Sequence, residues 1–164
     1  MASIAEATRI ILIGCGATLL MDIWLVFLKR IGVQTLNLAF IGRWVGHLLH
    51  GRFAHQSIGK ASPIVHETSL GWVTHYVVGI AFAFLLTRIS GVAWTRAPSP
   101  GIALLVGVCT VVFPLLVMQP AMGLGFAASK TPTPIKNCVR SLINHSIFGF
   151  GLFLSACVIE WIAR

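Results

Sequence analysis

Four long apolar runs dominate the pattern of the sequence, at residues 10–28, 70–87, 101–118 and 143–162. Each run is 18 to 20 residues long, and at about 1.5 Å per residue a helix of that length crosses the roughly 30 Å hydrocarbon core of a bilayer. A transmembrane β-barrel would show alternating segments of about ten residues instead. The pattern therefore predicts an all-α, polytopic membrane protein, a four-helix transmembrane bundle in which residues 1–164 form a single membrane domain.

A shorter amphipathic helix is predicted in the loop after the first run. Apolar residues recur there at helical spacing, at Leu38, Ile41, Val45, Leu48 and Leu49, and Arg43, His47 and His50 fall largely outside that stripe. Trp44 suits an interfacial depth. The spacing predicts a helix over residues 36–50 on the cytoplasmic membrane surface. A re-entrant segment, helped by Gly42 and Gly46, is the alternative.

Small residues and prolines predict further details of the spans. Gly14, Gly16 and Ala17 favour close packing of the first helix against its neighbours. Pro114 should distort the third helix, because proline lacks an N–H and clashes with the preceding turn. Residues 118–125 form a Gly/Pro-interrupted stretch, and such backbone is tolerated at membrane depth where it lines a cavity or is buried in protein.

Composition supports the membrane class. The chain is 57% hydrophobic and only 10% charged, against about 25% charged residues in soluble domains, and its mean hydropathy is +0.90. The net charge of +8 does not indicate nucleic acid, since the basic residues flank the apolar runs and meet lipid head groups there. We therefore expect the lipid bilayer as a partner and no nucleic acid.

The basic residues also predict an orientation. The two longer loops, after the first and third runs, carry eight basic residues: Lys29, Arg30, Arg43, Arg52, Lys60, Lys130, Lys136 and Arg140. The termini and the short loop, on the opposite side of the membrane, carry four: Arg9, Arg88, Arg96 and Arg164. By the positive-inside rule both longer loops are cytoplasmic and both termini are periplasmic. The first run contains Asp22 and lacks a small-residue cleavage site, so it is interpreted as a retained helix rather than a signal peptide.

Asp22 is the most informative residue, because it is one of four acidic residues and lies inside an apolar run. A carboxylate there costs about 2.5–3.5 kcal/mol on insertion scales, so it needs a partner or a purpose. The candidate partners are His75 and His145, each in another run. Span direction brings Gln119 and Asn144 to the same depth. The sequence predicts an intramembrane polar site of these five residues.

Three kinds of chemistry fit this site. Asp22, His75 and His145 form a donor set that suits a divalent metal such as zinc, iron or manganese, although no local metal motif is present. A proton relay or a counter-ion for a cationic substrate is the second. A hydrogen-bonded network that only fixes helix packing is the third.

The function predicted from these residues is that of a small inner-membrane protein with a transport-like or accessory role. A homodimer is expected if anything is transported, because four spans enclose little volume. A membrane-embedded, metal-dependent enzyme acting on a lipid or redox substrate is one alternative, and a structural or assembly partner is another. No motif identifies a catalytic residue: nucleophile elbows, P-loops and H-E-x-x-H are all lacking in the sequence.

The cytoplasmic first loop adds five candidate site residues: Asn37, Arg43, His47, His50 and His55. His47 and His50 are neighbours at i, i+3 on the predicted helix. The favoured interpretation of the loop histidines, His66 included, is nevertheless that they are interfacial and solvated.

Several motifs together resemble one bacterial family of small four-span inner-membrane proteins of unknown function. They include Gly14-Cys15-Gly16-Ala17-Thr18, Met21-Asp22, Gly42-Arg43-Trp44-Val45-Gly46-His47, Gly51-Arg52-Phe53, Gly71-Trp72, His75-Tyr76 and Met118-Gln119-Pro120-Ala121-Met122-Gly123. The resemblance covers about residues 10–160. It implies location and architecture but no activity. It also implies that the motif-bearing residues are the ones to test, namely Asp22, Asn37, Arg43, His47, His55, His75, Gln119 and His145.

Overall fold

The computed structural model describes residues 3–35 and 37–163, and these residues form helices and connecting loops without any strand. The main helices are α1 (Ile4–Arg30), α2 (Leu38–Leu49), α3 (Glu67–Ser90), α4 (Pro100–Ala121) and α5 (Pro134–Ile162). Single 3₁₀ turns occur at Ile58–Lys60, Val92–Thr95 and Phe126–Ala128. The all-α prediction is confirmed.

Four of these helices, α1, α3, α4 and α5, are long and apolar enough to cross a membrane. All four predicted runs lie within them. The largest difference is the start of α5, which begins at Pro134 rather than at residue 143. Proline suits a first helical turn, where its missing N–H leaves no hydrogen bond unmade, so the polar residues Lys136 and Arg140 are helical too.

The ends of α1 show why the sequence begins and stops the helix there. Ser3 Oγ accepts from the Glu6 backbone N–H at 3.3 Å, and the Glu6 carboxylate accepts from the Ser3 N–H at 2.8 Å, which forms a capping box. Lys29 and Arg30 lie in the last turn, where positive charge complements the helix dipole.

Helix α4 changes its hydrogen bonding at Pro114, as the sequence predicts. It is α-helical over Pro100–Cys109 and π-helical over Pro114–Met118, and the Gln119 N–H donates to the Pro114 carbonyl five residues back. Because Pro114 has no N–H, the α-helical ladder cannot pass through it, and the wider π turn takes up the mismatch.

The chain divides into two compact units. We call residues 1–33, 76–110 and 144–164 the bundle unit, and residues 34–75 and 111–143 the loop unit. Helices α3, α4 and α5 each contribute residues to both units. The single-domain prediction stays a prediction.

The bundle unit is built on close contacts between small residues. A Cβ added at Gly14 would lie 2.6 Å from the Ile80 Cα, and one at Gly107 would lie 2.4 Å from the Gly149 Cα. The backbones of α1 and α3, and of α4 and α5, therefore touch, which confirms the predicted close packing. The core residues around these contacts are Ile10, Ile13, Ala17, Ala83, Leu86, Trp94, Ala103, Val106, Phe148, Leu152 and Ala156.

The loop unit has its own apolar core, formed by Ile41, Trp44, Ile58, Met118, Ala121 and Met122. Helix α2 crosses the first turns of α3 in backbone contact: a Cβ at Gly42 would lie 1.8 Å from the Glu67 carbonyl oxygen. The segment after α2 then pairs with the end of α4. There the His55 N–H donates to the Ala121 carbonyl at 2.8 Å, and the Ile58 N–H to the Met122 carbonyl at 2.9 Å.

The predicted amphipathic helix exists as α2, but the interpretation of its polar side is wrong. Arg43 and His47 are each only 8% exposed, whereas Leu49 is 76% exposed. Trp44 is also buried, and its indole N–H donates to the Phe53 carbonyl at 2.8 Å. The physical reason is that other parts of the loop unit cover this side of α2 and supply partners for its polar atoms. An interfacial position of α2 stays a prediction.

Candidate functional site

The buried carboxylate Asp22 has a partner that the sequence analysis did not select. Asp22 on α1 is 9% exposed, and the Tyr76 hydroxyl on α3 donates to its Oδ2 at 3.0 Å. A carboxylate can only accept here, so the phenol supplies the proton of the bond. Tyr76 is the sole tyrosine of the chain, and its position beside His75 was the signal that could have found it.

Two further polar contacts join helices of the bundle unit. The Trp24 indole N–H donates to Asn144 Oδ1 at 3.0 Å. The Thr110 hydroxyl donates to the Gly107 carbonyl at 2.6 Å, so it accepts from His145 Nδ1, 2.9 Å away. That geometry assigns the proton of neutral His145 to Nδ1. Sequence reasoning found Asn144 and His145 but missed their partners Trp24 and Thr110.

These contacts gather at one end of the bundle unit. Tyr76, Thr110 and Asn144 are each the first or last residue that their helix contributes to it. The structure thus brings Asp22, Asn144 and His145 to one end of one unit, each with a hydrogen-bond partner from a neighbouring helix.

The other two residues of the predicted site belong to the loop unit. The His75 ring packs edge-on against Trp72, with centroids 6.3 Å apart. Gln119 Oε1 is buried and has no hydrogen-bond partner among the residues described. The prediction that Asp22 lies within direct contact, or one bridging water or ion, of His75 or His145 stays a prediction.

The metal hypothesis gains no support from the geometry. Within residues 3–35 and 37–163, no three His, Cys, Asp or Glu side chains form a group that could hold a metal ion. A divalent metal on Asp22, His75 and His145 therefore stays a hypothesis from the sequence.

Arg43 forms the most completely bonded polar cluster of the loop unit. Its Nε and Nη2 donate to the two oxygens of Glu67 at 2.8 and 2.7 Å. Its Nη1 donates to the carbonyls of Ile58 at 3.3 Å and Ala61 at 3.2 Å. Glu67 also accepts from the Ile64 N–H at 3.1 Å. Arg43 therefore ties α2 to the following loop and to the start of α3.

This cluster changes the interpretation of Arg43 from a candidate binding residue to a structural one. The hydrogen bonds that Arg43 donates to Glu67 raise the pKa of Arg43 above its usual value, so the guanidinium keeps its charge despite burial. Sequence reasoning missed Glu67, although it is the sole acidic residue between Asp22 and Glu160. Glu67 was therefore the one carboxylate of the first loop and its flanks that could pair with a buried Arg43.

His47 and His55 form a buried pair. His47 Nε2 lies 3.0 Å from the Ser62 carbonyl, which can only accept, so Nε2 carries the proton of neutral His47. His47 Nδ1 then accepts from His55 Nε2, 2.8 Å away. This leaves His55 Nδ1 as an acceptor, and it is buried without a partner in the described part of the chain. His55 is 6% exposed.

The remaining loop candidates have local roles. Asn37 is the N-cap of α2, and its side chain accepts from the Ala39 N–H at 3.0 Å. His50 is exposed and donates from Nδ1 to the Gly46 carbonyl at 2.8 Å. His66 is also exposed, and the solvated interpretation stays a prediction for His50 and His66. It is wrong for His47 and His55, because loop and α4 backbone cover them.

Comparison with known families decides the classification. Residues 11–159 match the sequence model of a family described as "Protein of unknown function (DUF2938)". The chain belongs to the DUF2938 family. No curated protein and no solved structure matches it. The match confirms the resemblance to a family of unknown function, so activity in DUF2938 must be argued from the site itself.

The loop unit of this DUF2938 protein should lose stability in mild acid. Burial lowers the pKa of His55 below its usual 6.5, and the charges of Arg52 and His47 lower it further. A histidine whose pKa is lowered on folding favours the neutral form, so its contribution is complete above about pH 6.5 and is lost as pH falls below that value. The thermal unfolding midpoint should therefore drop between about pH 7.5 and pH 5.5.

Two variants separate His55 from the other histidines. His55→Asn should show a smaller acid-induced drop than the wild type, and the exposed control His50→Asn should keep the full drop. An equal drop in His55→Asn and wild type would show that the buried pair is not the acid-sensitive element.

Proposed function

We propose that this DUF2938 protein has a transport-like role in the bacterial inner membrane, with Asp22 as the carboxylate that binds and releases a proton or a cation. The observation that supports this most is the burial of Asp22 in a helix able to cross a membrane, where it accepts from Tyr76 at 3.0 Å. An intramembrane carboxylate is expensive and typically marks an ion or proton pathway.

The surroundings of Asp22 suit this role. The Tyr76 hydroxyl stabilises the charged carboxylate by donating a hydrogen bond to it. A bound proton or cation can neutralise the charge of such a carboxylate in an apolar environment. His145 lies in the same unit, and histidine exchanges protons near neutral pH. Asp22 and His145 together would allow a proton to enter at one side chain and leave at another.

The proposed location places both termini in the periplasm and both longer loops in the cytoplasm. Eight basic residues on the loop side against four on the other support it. A reporter enzyme that works only in the periplasm should be active when it is fused after residue 164. Strong activity of a cytoplasm-dependent reporter at the same position would show the opposite orientation.

A homodimer within the lipid bilayer belongs to the same proposal. Four spans that pack through glycine contacts leave little room between them, so a second copy would supply the other wall of a pathway. The molar mass of the detergent-solubilised protein from light scattering tests this. The mass of one 17.7 kDa chain would argue against a shared pathway.

Proton flux into proteoliposomes tests the role of Asp22. The wild type should dissipate an imposed pH gradient, followed with an entrapped pH-sensitive dye. Asp22→Asn should abolish this flux while the protein still inserts, because Asn keeps the shape and loses the charge. Glu6→Gln is the matched control: it removes an acid from the same helix and keeps a side chain that can still cap it.

The alternatives predict different results. If the polar contacts only fix helix packing, neither wild type nor variant conducts, and Asp22→Asn changes stability mildly. Flux that survives in Asp22→Asn would exclude Asp22 as the binding carboxylate. An enzyme that depends on a metal would instead retain stoichiometric metal after purification.

A further inference from the structure

A cavity of about 440 Å³ opens on the loop unit beside the segment that follows α2. Its lining residues are Arg52, Ala54, Gln56, Ser57, Lys60 and Ala61. The segment alternates its side chains as extended backbone does. Arg52, Ala54 and Gln56 line the cavity, whereas His55 between them is buried against His47. The cavity is thus separate from the histidine pair.

All four polar side chains of the cavity can donate hydrogen bonds: the Arg52 guanidinium, the Lys60 ammonium, the Gln56 amide and the Ser57 hydroxyl. No acidic residue lines the cavity. In the described part of the chain, ion pairs join Arg9 to Glu160 and Arg43 to Glu67, and neither involves Arg52 or Lys60. The cavity therefore presents two uncompensated positive charges and several unused donors.

We propose that this cavity binds a phosphate group. The positive charges of Arg52 and Lys60 repel each other, and an anion bound between them is attracted to both and offsets that repulsion. The planar guanidinium of Arg52 can bond two phosphate oxygens at once, and Lys60 adds a compact second charge. A phosphate offers enough oxygens to accept from Gln56 and Ser57 as well.

The surroundings of the cavity admit two sources for that phosphate. Phe53, which lies between two lining residues, is 49% exposed, and Leu49 at the end of α2 is 76% exposed. Apolar side chains beside a cationic site match the boundary between phospholipid head groups and acyl chains. A soluble phosphate shares the same binding chemistry without needing those apolar neighbours.

Native mass spectrometry of the full chain in neutral detergent tests the site. The probes are phosphatidylglycerol, zwitterionic phosphatidylcholine and inorganic phosphate. The test variant is Arg52→Gln/Lys60→Gln. Its matched control is Lys130→Gln/Lys136→Gln, which removes the same charge from two exposed lysines outside the cavity. The swap Arg52→Lys/Lys60→Arg keeps both charges in place.

The wild type should bind the anionic probe. The affinity of the Arg52→Gln/Lys60→Gln variant should be roughly tenfold weaker or more, whereas the lysine control and the charge-keeping swap should bind like the wild type. Retention of phosphatidylglycerol that inorganic phosphate does not displace identifies a lipid head group as the source. Equal binding of inorganic phosphate without anionic lipid identifies a soluble phosphate. Equal losses in the cavity variant and the lysine control, or no retention of either anion, would overturn the proposal.

Discussion

Replacing Arg43 with Met should lower the free energy of unfolding by about 3–5 kcal/mol, the range seen when one partner of a buried ion pair is removed. The Arg43 and Glu67 side chains are only 10% and 18% exposed. Methionine would leave the Glu67 carboxylate with the Ile64 N–H as its remaining bond in that cluster. Denaturant titration of the detergent-solubilised protein measures the loss.

Controls distinguish the ion pair from a general effect of charge. Arg96 is exposed, so Arg96→Met should change the stability by no more than about 0.5 kcal/mol. The double variant Arg43→Met/Glu67→Leu removes both charges and should recover part of the loss, since no unpaired carboxylate remains. If Arg43→Met is no worse than Arg96→Met, the cluster does not hold the loop unit together.

Gly42→Ala should have the second largest effect, a loss of about 3 kcal/mol, at the upper end of the usual range for overpacked sites. The added Cβ would lie 1.8 Å from the Glu67 carbonyl oxygen and 2.6 Å from the Gly71 nitrogen. Both are backbone atoms, so no side chain can move aside and the helices must separate. That separation would also misalign the neighbouring Arg43 with Glu67.

Gly101→Ala is the matched control for this substitution. A Cβ at Gly101 meets nothing within 4 Å, and alanine is a better helix former than glycine by about 1 kcal/mol. Gly101→Ala should therefore be neutral or stabilising when the thermal unfolding midpoints of both variants are measured in detergent. Equal midpoints for the two variants would show that α2 and α3 do not meet in backbone contact at Gly42.

The four helices long and apolar enough to cross a membrane could be predicted from the sequence, because length and continuous hydrophobicity are sufficient to define them. The change of hydrogen bonding at Pro114 could be predicted for a similar reason, because a proline has no N–H to donate wherever it lies in a helix. The kind of break, a π-helical segment over Pro114–Met118, depends on how the next residues pack. Residue type alone does not specify that packing.

The loop unit could not be predicted in the same way. The spacing along α2 shows which residues share a face, but not which face is covered. Arg43 and His47 look solvated as long as Glu67 and Ser62 are not known to lie beside them. These partners are 24 and 15 residues further along the chain, beyond the range of any helical periodicity.

The candidate site was predicted in part. The physical cost of a carboxylate in an apolar run identified Asp22 correctly as a buried group that needs a partner. A search for cationic partners alone passes over Tyr76, because a phenol compensates a carboxylate by hydrogen bonding rather than by charge. Trp24 and Thr110 were missed because both residue types occur in membrane helices without any such role.

Labelling with a hydrophobic carbodiimide tests whether Asp22 exchanges protons with the aqueous phase from within an apolar helix. A protonated carboxyl adds to the carbodiimide and yields a stable N-acylurea, which mass spectrometry locates on a peptide. We expect an adduct on Asp22 whose rate of formation rises as pH falls, no adduct there in Asp22→Asn, and an unchanged one in Glu6→Gln. An Asp22 peptide that stays unlabelled at every pH, while Glu6 at the exposed end of the helix reacts, would show that Asp22 does not exchange protons with the aqueous phase.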